Sequence, residues 1–315
     1  MKLIKRIVLA ILLLWVGLLV YHFKADIPFE TLKEKYAHPA SKFVEIDGMQ
    51  VHYRDEGIST DSIPLVLIHG TSSSLHTWND CTDEWKKTRR VIRFDLPAFG
   101  LTGPNKTDDY SFETYVDIVN KLFVKLNINK CYIVGNSLGG GIAWNFAHAY
   151  PDKVVKMVLI DANGYKYKMS KKNIGFSIMR NLGKYAIFRP SLKYITPTFM
   201  LRKSVKAVYY DDTKITDEVY ERYLDFTLRE GNRNALVERF IDVKIKDSRS
   251  TIKQIKAPTL IIWGKEDALI PVTCAHKFHE DLPNSQLEII EQTGHIAMEE
   301  SPQEVIPLVA DFIIN

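Results

Sequence analysis

The stretch Cys131-Tyr132-Ile133-Val134-Gly135-Asn136-Ser137-Leu138-Gly139-Gly140-Gly141 decides how the rest of the chain is read. A short apolar run, Tyr132-Ile133-Val134, stops at a G-x-S-x-G pentapeptide. Helical spacing follows at once in Ile142, Ala143, Phe146 and Ala147. That is a strand, a sharp turn and a helix, with a serine at the apex. Gly135 and Gly139 stand two residues either side of Ser137, where side chains would collide with the neighbouring strand or helix. Such a turn holds a serine Oγ out on a strained backbone, away from the sheet.

Working outward, the same alternation recurs. Residues 42–46 and 49–53 alternate apolar and polar around Asp47-Gly48, a hairpin with a D-G turn. Residues 64–68 form a continuous apolar run, as expected of a strand covered on both faces, and end in His69-Gly70-Thr71. Residues 91–94 form another short strand, ending in Asp95-Leu96-Pro97-Ala98-Phe99-Gly100. Ser111 can cap a helix whose apolar face is Phe112, Tyr115, Val116, Val119, Leu122, Phe123 and Leu126. Later strands are expected at 154–160, 259–263 and 286–290, with helices at about 272–281 and 302–312. Strands alternating with helices after an opening hairpin predict an α/β fold, a mostly parallel twisted sheet with helices on both faces. Residues 42–164 and 254–315 make up this core. Residues 165–253 show no such alternation and read as an inserted helical cap over the carboxyl ends of the strands, where such folds bind ligands.

A serine hydroxyl needs an oriented base. Of the nine histidines, His295 is the candidate: it follows the last strand in Glu291-Gln292-Thr293-Gly294-His295, a loop that reaches back over the sheet. The base needs a carboxylate to fix its tautomer. Asp267, just past the strand 259–263, gives the chain order Ser, Asp, His, while Asp161, past the preceding strand, is the rival acid. Glu266 is expected to face solvent. An oxyanion needs preorganised N–H donors; Leu138, opening a helix directly after Ser137, is one, and Thr71 in the loop after Ile68 is the second.

These motifs together resemble the α/β-hydrolase superfamily, in its lipase/esterase-like branch with an inserted cap, over about residues 42–313. The marks are His69-Gly70, the Asp95 to Gly100 loop, the Ser137 pentapeptide, Gly264 to Asp267, and Gly294-His295. The resemblance implies Ser137 as nucleophile, Asp267 as acid, His295 as base and oxyanion donors at Thr71 and Leu138, with a carboxylic ester as substrate and no cofactor or metal. Ala98 departs from it, since many members carry glycine there. Relatives that cleave carbon–carbon bonds of dienoic acids share Gly-Asn-Ser, but a tryptophan commonly follows their histidine; here Ile296 does. Amide hydrolysis by the same triad and a non-catalytic binding role are the remaining alternatives.

Composition is that of a globular protein, 46% hydrophobic and 25% charged. Cys81, Cys131 and Cys274 show no metal-ligand spacing, and a Cys81–Cys274 disulfide stays open. Lys2, Lys5 and Arg6 precede an uncharged apolar run over residues 7–21. No small residues suit a cleavage site at its end, and Trp15 and Tyr21 suit membrane interfaces. Residues 1–24 therefore read as an uncleaved single-pass signal anchor, with the catalytic part on the extracytoplasmic side, and 25–41 as a linker with a short helix at 29–36. Between residues 164 and 210 lie eleven Lys or Arg and no Asp or Glu, interleaved with aromatics. This basic half of the cap is expected to contact anionic lipid and admit lipid-like esters; nucleic acid is a poor partner for an extracytoplasmic hydrolase.

Overall fold

The computed structural model describes residues 2–167, 181, 185, 189–242 and 247–314. In chain order it begins with helix α1 (Lys2–His22), helix α2 (Phe29–Tyr36), strands β1 (Ser41–Ile46), β2 (Met49–Gly57) and β3 (Leu65–Ile68), and helix α3 (Asn79–Trp85). Strand β4 (Arg90–Phe94), helix α4 (Phe112–Lys125), strand β5 (Cys131–Asn136), helix α5 (Leu138–Ala149) and strand β6 (Val154–Ile160) follow. After a helical stretch, strands β7 (Thr259–Gly264) and β8 (Ser285–Ile290) complete an eight-stranded sheet in the order β1-β2-β4-β3-β5-β6-β7-β8.

The local chemistry accounts for the elements. Asp47 and Gly48 both take positive φ, 49° and 76°, as the tight β1–β2 turn requires. Ser111 accepts from Thr114 N at 3.2 Å and so caps α4. Every pair from β4–β3 across to β7–β8 is parallel, and only β1–β2 and β2–β4 are antiparallel. Each buried strand sends alternate side chains to opposite faces. Val66, Ile68, Ile133, Ile261 and Trp263 pack with α4 and α5, whereas Leu65, Leu67, Val134, Leu260 and Ile262 pack with Trp78, Trp85 and Val309. Helix α3 has no counterpart in the sequence reading. A parallel β3–β4 pair cannot be joined without a crossover, so β3 and β4 themselves demand it. The chain leaves β3 toward β4 and returns past it to β5. The carboxyl ends of β3 and β5 therefore flank the topological switch point.

The segment between β6 and β7 is helical in its described parts, including Thr198–Lys206, Asp217–Leu228 and Asn232–Asp242. It lies against the loops that follow the strands: Asn232 Nδ2 reaches Gly100 O at 3.4 Å, and His295 N donates to Val208 O at 2.8 Å.

Residues 22–37 are more than a linker. Lys24 N donates to Tyr194 O at 3.1 Å, Ile27 N to Leu228 O at 2.8 Å, and Glu230 N back to Ile27 O at 3.0 Å. Arg233 pairs with Asp26, and Lys35 and Tyr36 both reach Asp225, at 2.7 and 2.9 Å. On the other side Arg54 Nη2 donates to Tyr36 O at 3.1 Å. The segment is a strap stitched to both the insertion and the sheet. Period-two or helical patterning could not show this, because the pairing partners are distant in sequence.

One question the sequence leaves open is answered, and one expectation finds no support among the described residues. All three cysteines are free and buried, so no Cys81–Cys274 bridge exists. Among the described residues no helix is long and apolar enough to cross a membrane, so a spanning anchor finds no support there, although several α1 side chains lie outside the described residues. Helix α1 leaves Ile7, Leu9, Leu13 and Val20 exposed. Of the basic run, Lys168, Lys171, Lys172, Arg180 and Lys184 lie outside the described residues.

Candidate active site

Strand β5 delivers Ser137 to the turn before α5. Ser137 takes φ 53° and ψ −111°, a conformation costly for a residue with a Cβ. The glycines around it are dictated by crowding. A Cβ on Gly135 would stand 2.2 Å from Gly139 O, and one on Gly139 would stand 2.1 Å from Ile68 O. The turn thus fits tightly against β3, and the Gly70 loop is drawn to the same point: a Cβ there would stand 3.2 Å from Ser137 Cβ.

Of the two expected N–H donors, Leu138 directly follows the serine, and Thr71 follows Gly70, whose backbone approaches the serine. Leu138 opens α5, so its N–H has no partner within the helix and lies at the positive end of the helix dipole. The Thr71 loop is fixed from below. His69 Nε2 accepts from Leu96 N at 3.0 Å while its Nδ1 bonds Gly70 O at 2.7 Å, a pairing that suits the neutral ring. Burial lowers the His69 pKa and keeps it neutral. Asp95 Oδ1 accepts from Leu75 N at 2.7 Å and Oδ2 from Leu101 N at 2.8 Å.

His295 is buried, and its Nδ1 lies 2.7 Å from Asp267 Oδ2. The other Asp267 oxygen accepts from Leu269 N at 2.7 Å and Ile270 N at 3.0 Å. With every contact of Asp267 a donor, the His295 proton sits on Nδ1 and the Nε2 lone pair is free to accept. Among the described residues the Ser137 hydroxyl makes no hydrogen bond. Such bonds are often loose before substrate binds.

Three residues to which the sequence reading gave no part in the site hold the histidine loop. Asn136 Nδ2 donates to His295 O at 2.9 Å and to Ile160 O at 3.2 Å. Glu300, 2% exposed, accepts from Gly294 N at 2.7 Å with one oxygen and from Tyr210 N and Asp211 N with the other, at 2.9 and 2.8 Å. Glu266, half-buried, accepts from Thr293 N at 3.1 Å. The only sequence hint was their closeness to Ser137, Asp267 and His295.

The rival acid, Asp161, does not reach the histidine as a hydrogen-bond partner. It lies behind Asp267. Asp161, Asp267 and His295 can bring one ligand atom each within 4.8 Å of one another, and Asp267 and His295 already bond each other at 2.7 Å. A second Ser–His–Asp relay runs through Ser41 Oγ, His52 and Asp95, at 2.8 and 2.7 Å. Its serine accepts from Arg54 Nε at 3.2 Å and His38 N at 3.0 Å and sits on the edge hairpin. It joins β1 to the loop after β4.

A model of the alpha/beta hydrolase family matches residues 65–308. The chain belongs to the alpha/beta hydrolase family. Among curated relatives of this hydrolase, the uncharacterized hydrolase YugF of Bacillus subtilis is 29% identical over 279 residues, 87% of this chain and 98% of that protein. Human monoacylglycerol lipase ABHD6 is 26% identical over 281 residues, covering 87% of this chain and 82% of the lipase. A meta-cleavage product hydrolase from Pseudomonas fluorescens IP01 superposes with a TM-score of 0.73 at 27% identity, covering 86% of this hydrolase and 97% of that one. The eight-stranded, mostly parallel sheet with helices on both faces is the family's fold.

Proposed function

We propose that this alpha/beta hydrolase cleaves carboxylic esters through an acyl-enzyme on Ser137. The observation that carries the reading is a serine held at positive φ, next to a buried histidine loop in which Asp267 grips Nδ1. His295 Nε2 takes the Ser137 proton as Oγ attacks the ester carbonyl. Asp267 keeps the imidazole in the useful tautomer and stabilises the imidazolium. The oxyanion forms against the N–H groups of Thr71 and Leu138. The imidazolium returns the proton to the leaving alcohol. Water then attacks the acyl-enzyme with His295 again as base, releasing acid and restoring Ser137. No metal or cofactor takes part in these steps.

The substrate we favour is lipid-like, and the relationship to a monoacylglycerol lipase supports it. Helix α1, with its uncharged run and exposed Ile7, Leu9, Leu13 and Val20, anchors the enzyme at a membrane on the extracytoplasmic side. The strap holds the helical cap beside that anchor, and the basic half-cap meets anionic head groups. A fluorophosphonate probe should label Ser137 and no other residue, and hydrolysis across a chain-length series of esters should favour long acyl chains at a vesicle surface. Failure to label sinks the serine mechanism, and indifference to chain length and vesicles sinks the lipid reading.

The likeness to a meta-cleavage product hydrolase favours one competitor, hydrolysis of a carbon–carbon bond in a dienoate. Bleaching of such a chromophore faster than any ester is cleaved would establish it.

A further inference from the structure

The Ser137–His295–Asp267 reading leaves one buried acid unused. Asp161 ends β6, between the strand that carries Ser137 and the strand that leads to Asp267. It is wholly buried and takes φ 47°. A positive φ and a buried carboxyl are both costly, and among the described residues no cation is paired with it. Its Oδ1 accepts from Gly264 N at 2.9 Å. Its Oδ2 has no partner if the group is a bare carboxylate. That orphaned oxygen disappears once the group is protonated, because a carboxylic acid carries a donor. With Oδ1 engaged by Gly264, the proton belongs on Oδ2, and the acceptor beside it is the Asp267 carboxylate.

We propose that Asp161 is a neutral carboxylic acid behind Asp267, donating a hydrogen bond that positions the Asp267 carboxylate, and that it supplies a replacement carboxylate when Asp267 is lost. Burial raises the Asp161 pKa well above the usual range, and the charges of Asp267 and Glu300 raise it further. The titratable groups that face it are Asp267, His295 and Glu300. While Asp267 is ionised, a second charge there is repelled, as in any close carboxyl pair. When Asp267 is replaced by a neutral residue, that repulsion goes. Asp161 then releases its proton to solvent at a lower pH, and its carboxylate faces the imidazolium. In both states it is a positioning residue with no contact to substrate. The inference rests on the hydrolase reading above.

The test compares Asp161→Asn, Asp267→Asn and the double variant in the full chain, by kcat/KM for a p-nitrophenyl ester across pH. Asparagine keeps a donor at position 161, so Asp161→Asn alone should stay within about threefold of the parent. Asp267→Asn should lose about 100-fold, with an acid limb from ionisation of Asp161. The double variant should lose about 10,000-fold, the order expected when a triad acid is removed outright, and should lack that limb. If Asp161→Asn does not accumulate folded, Asp161→Ser supplies a smaller hydroxyl donor for the same cycle. Losses that simply multiply, with no limb in Asp267→Asn, overturn the proposal. So does an Asp161→Asn loss as large as that of Asp267→Asn. Activity surviving in Ser137→Ala is the separate outcome that would sink the hydrolase reading instead.

Discussion

The side-chain amide of Asn136 bonds the main-chain oxygen of His295 at 2.9 Å, tying the residue before the serine to the histidine itself. Asn136 also holds Ile160 O, so one buried amide registers the β5 turn, the end of β6 and the histidine loop. Asn136→Ala takes the side-chain donor from the buried His295 O, whereas Ile160 O keeps Ser137 N at 3.0 Å. An orphaned buried group costs about 1–3 kcal/mol. Urea unfolding should show the stability loss, and steady-state kinetics should show kcat falling more than KM rises, because the loss is of alignment.

Ser137→Ala should fold normally and lose turnover by about 10,000-fold or more, with His295→Ala comparable, since such residues act as a unit. Fluorophosphonate labelling followed by peptide mapping is the check. Ser41 should stay unlabelled in Ser137→Ala, despite its own His52 and Asp95, because its Oγ already accepts two hydrogen bonds from Arg54 and His38. Labelling at Ser41 would reveal a second reactive centre.

Stability should depend on pH through Asp161. Its folded pKa is raised and its unfolded pKa is about 3.9. Below about pH 3.9 both states hold the proton. Above that, the unfolded chain releases it first, so this group's contribution falls as pH rises toward the folded pKa. Denaturant midpoints should show Asp161→Asn gaining stability relative to the parent between about pH 4 and neutrality. A constant difference would mean Asp161 is ionised when folded.

Ala98 takes φ 81°, a conformation natural to glycine. Ala98→Gly should remove about 1 kcal/mol of strain, offset in part by the freer unfolded chain. A scanning-calorimetry midpoint unchanged or raised by up to about 3 °C is expected, and a fall of that size would show the Ala98 methyl, buried at 1% exposure, to be worth more than the strain.

Truncation should separate α1 from the strap. Removing residues 1–20 spares every strap contact from His22 onward and should leave the melting temperature within about 2 °C of the parent. Removing residues 1–37 strips Arg233, 5% exposed, of Asp26, and Asp225 of Lys35 and Tyr36. Orphaning buried charges is expensive, so that cut should lower the melting temperature by several degrees and reduce activity.

Much of this was legible in the sequence, for definite reasons. The apolar runs of strands β3 and β5 stop just before Gly70 and Gly135, and the crowding that requires Gly135 and Gly139 is visible in the pentapeptide spacing. Helix α2 falls over Phe29–Tyr36, where the pattern placed it. The contacts that fix the site's geometry were not legible. Glu300 and Glu266 look like any surface acids, and their role depends on backbone N–H groups turned toward them by loops. The relative place of Asp161 and Asp267 follows from strand order, β6 beside β7, and not from chain order. Ser41 and Asp95 lie far apart in sequence, and only the β1–β2 register brings His52 between them.

The strap also sets an order of events. Several of its partners lie 189 to 209 residues further along, as in Tyr36 with Asp225 and Lys24 with Arg233. Synthesised well before the residues it pairs with, the strap must wait for them before its donors and acceptors are met. Contacts so distant form late, after the loop entropy has been met by the sheet. The strap then acts as a latch on a finished molecule. Substitutions in it are expected to hasten unfolding while leaving the refolding rate nearly untouched.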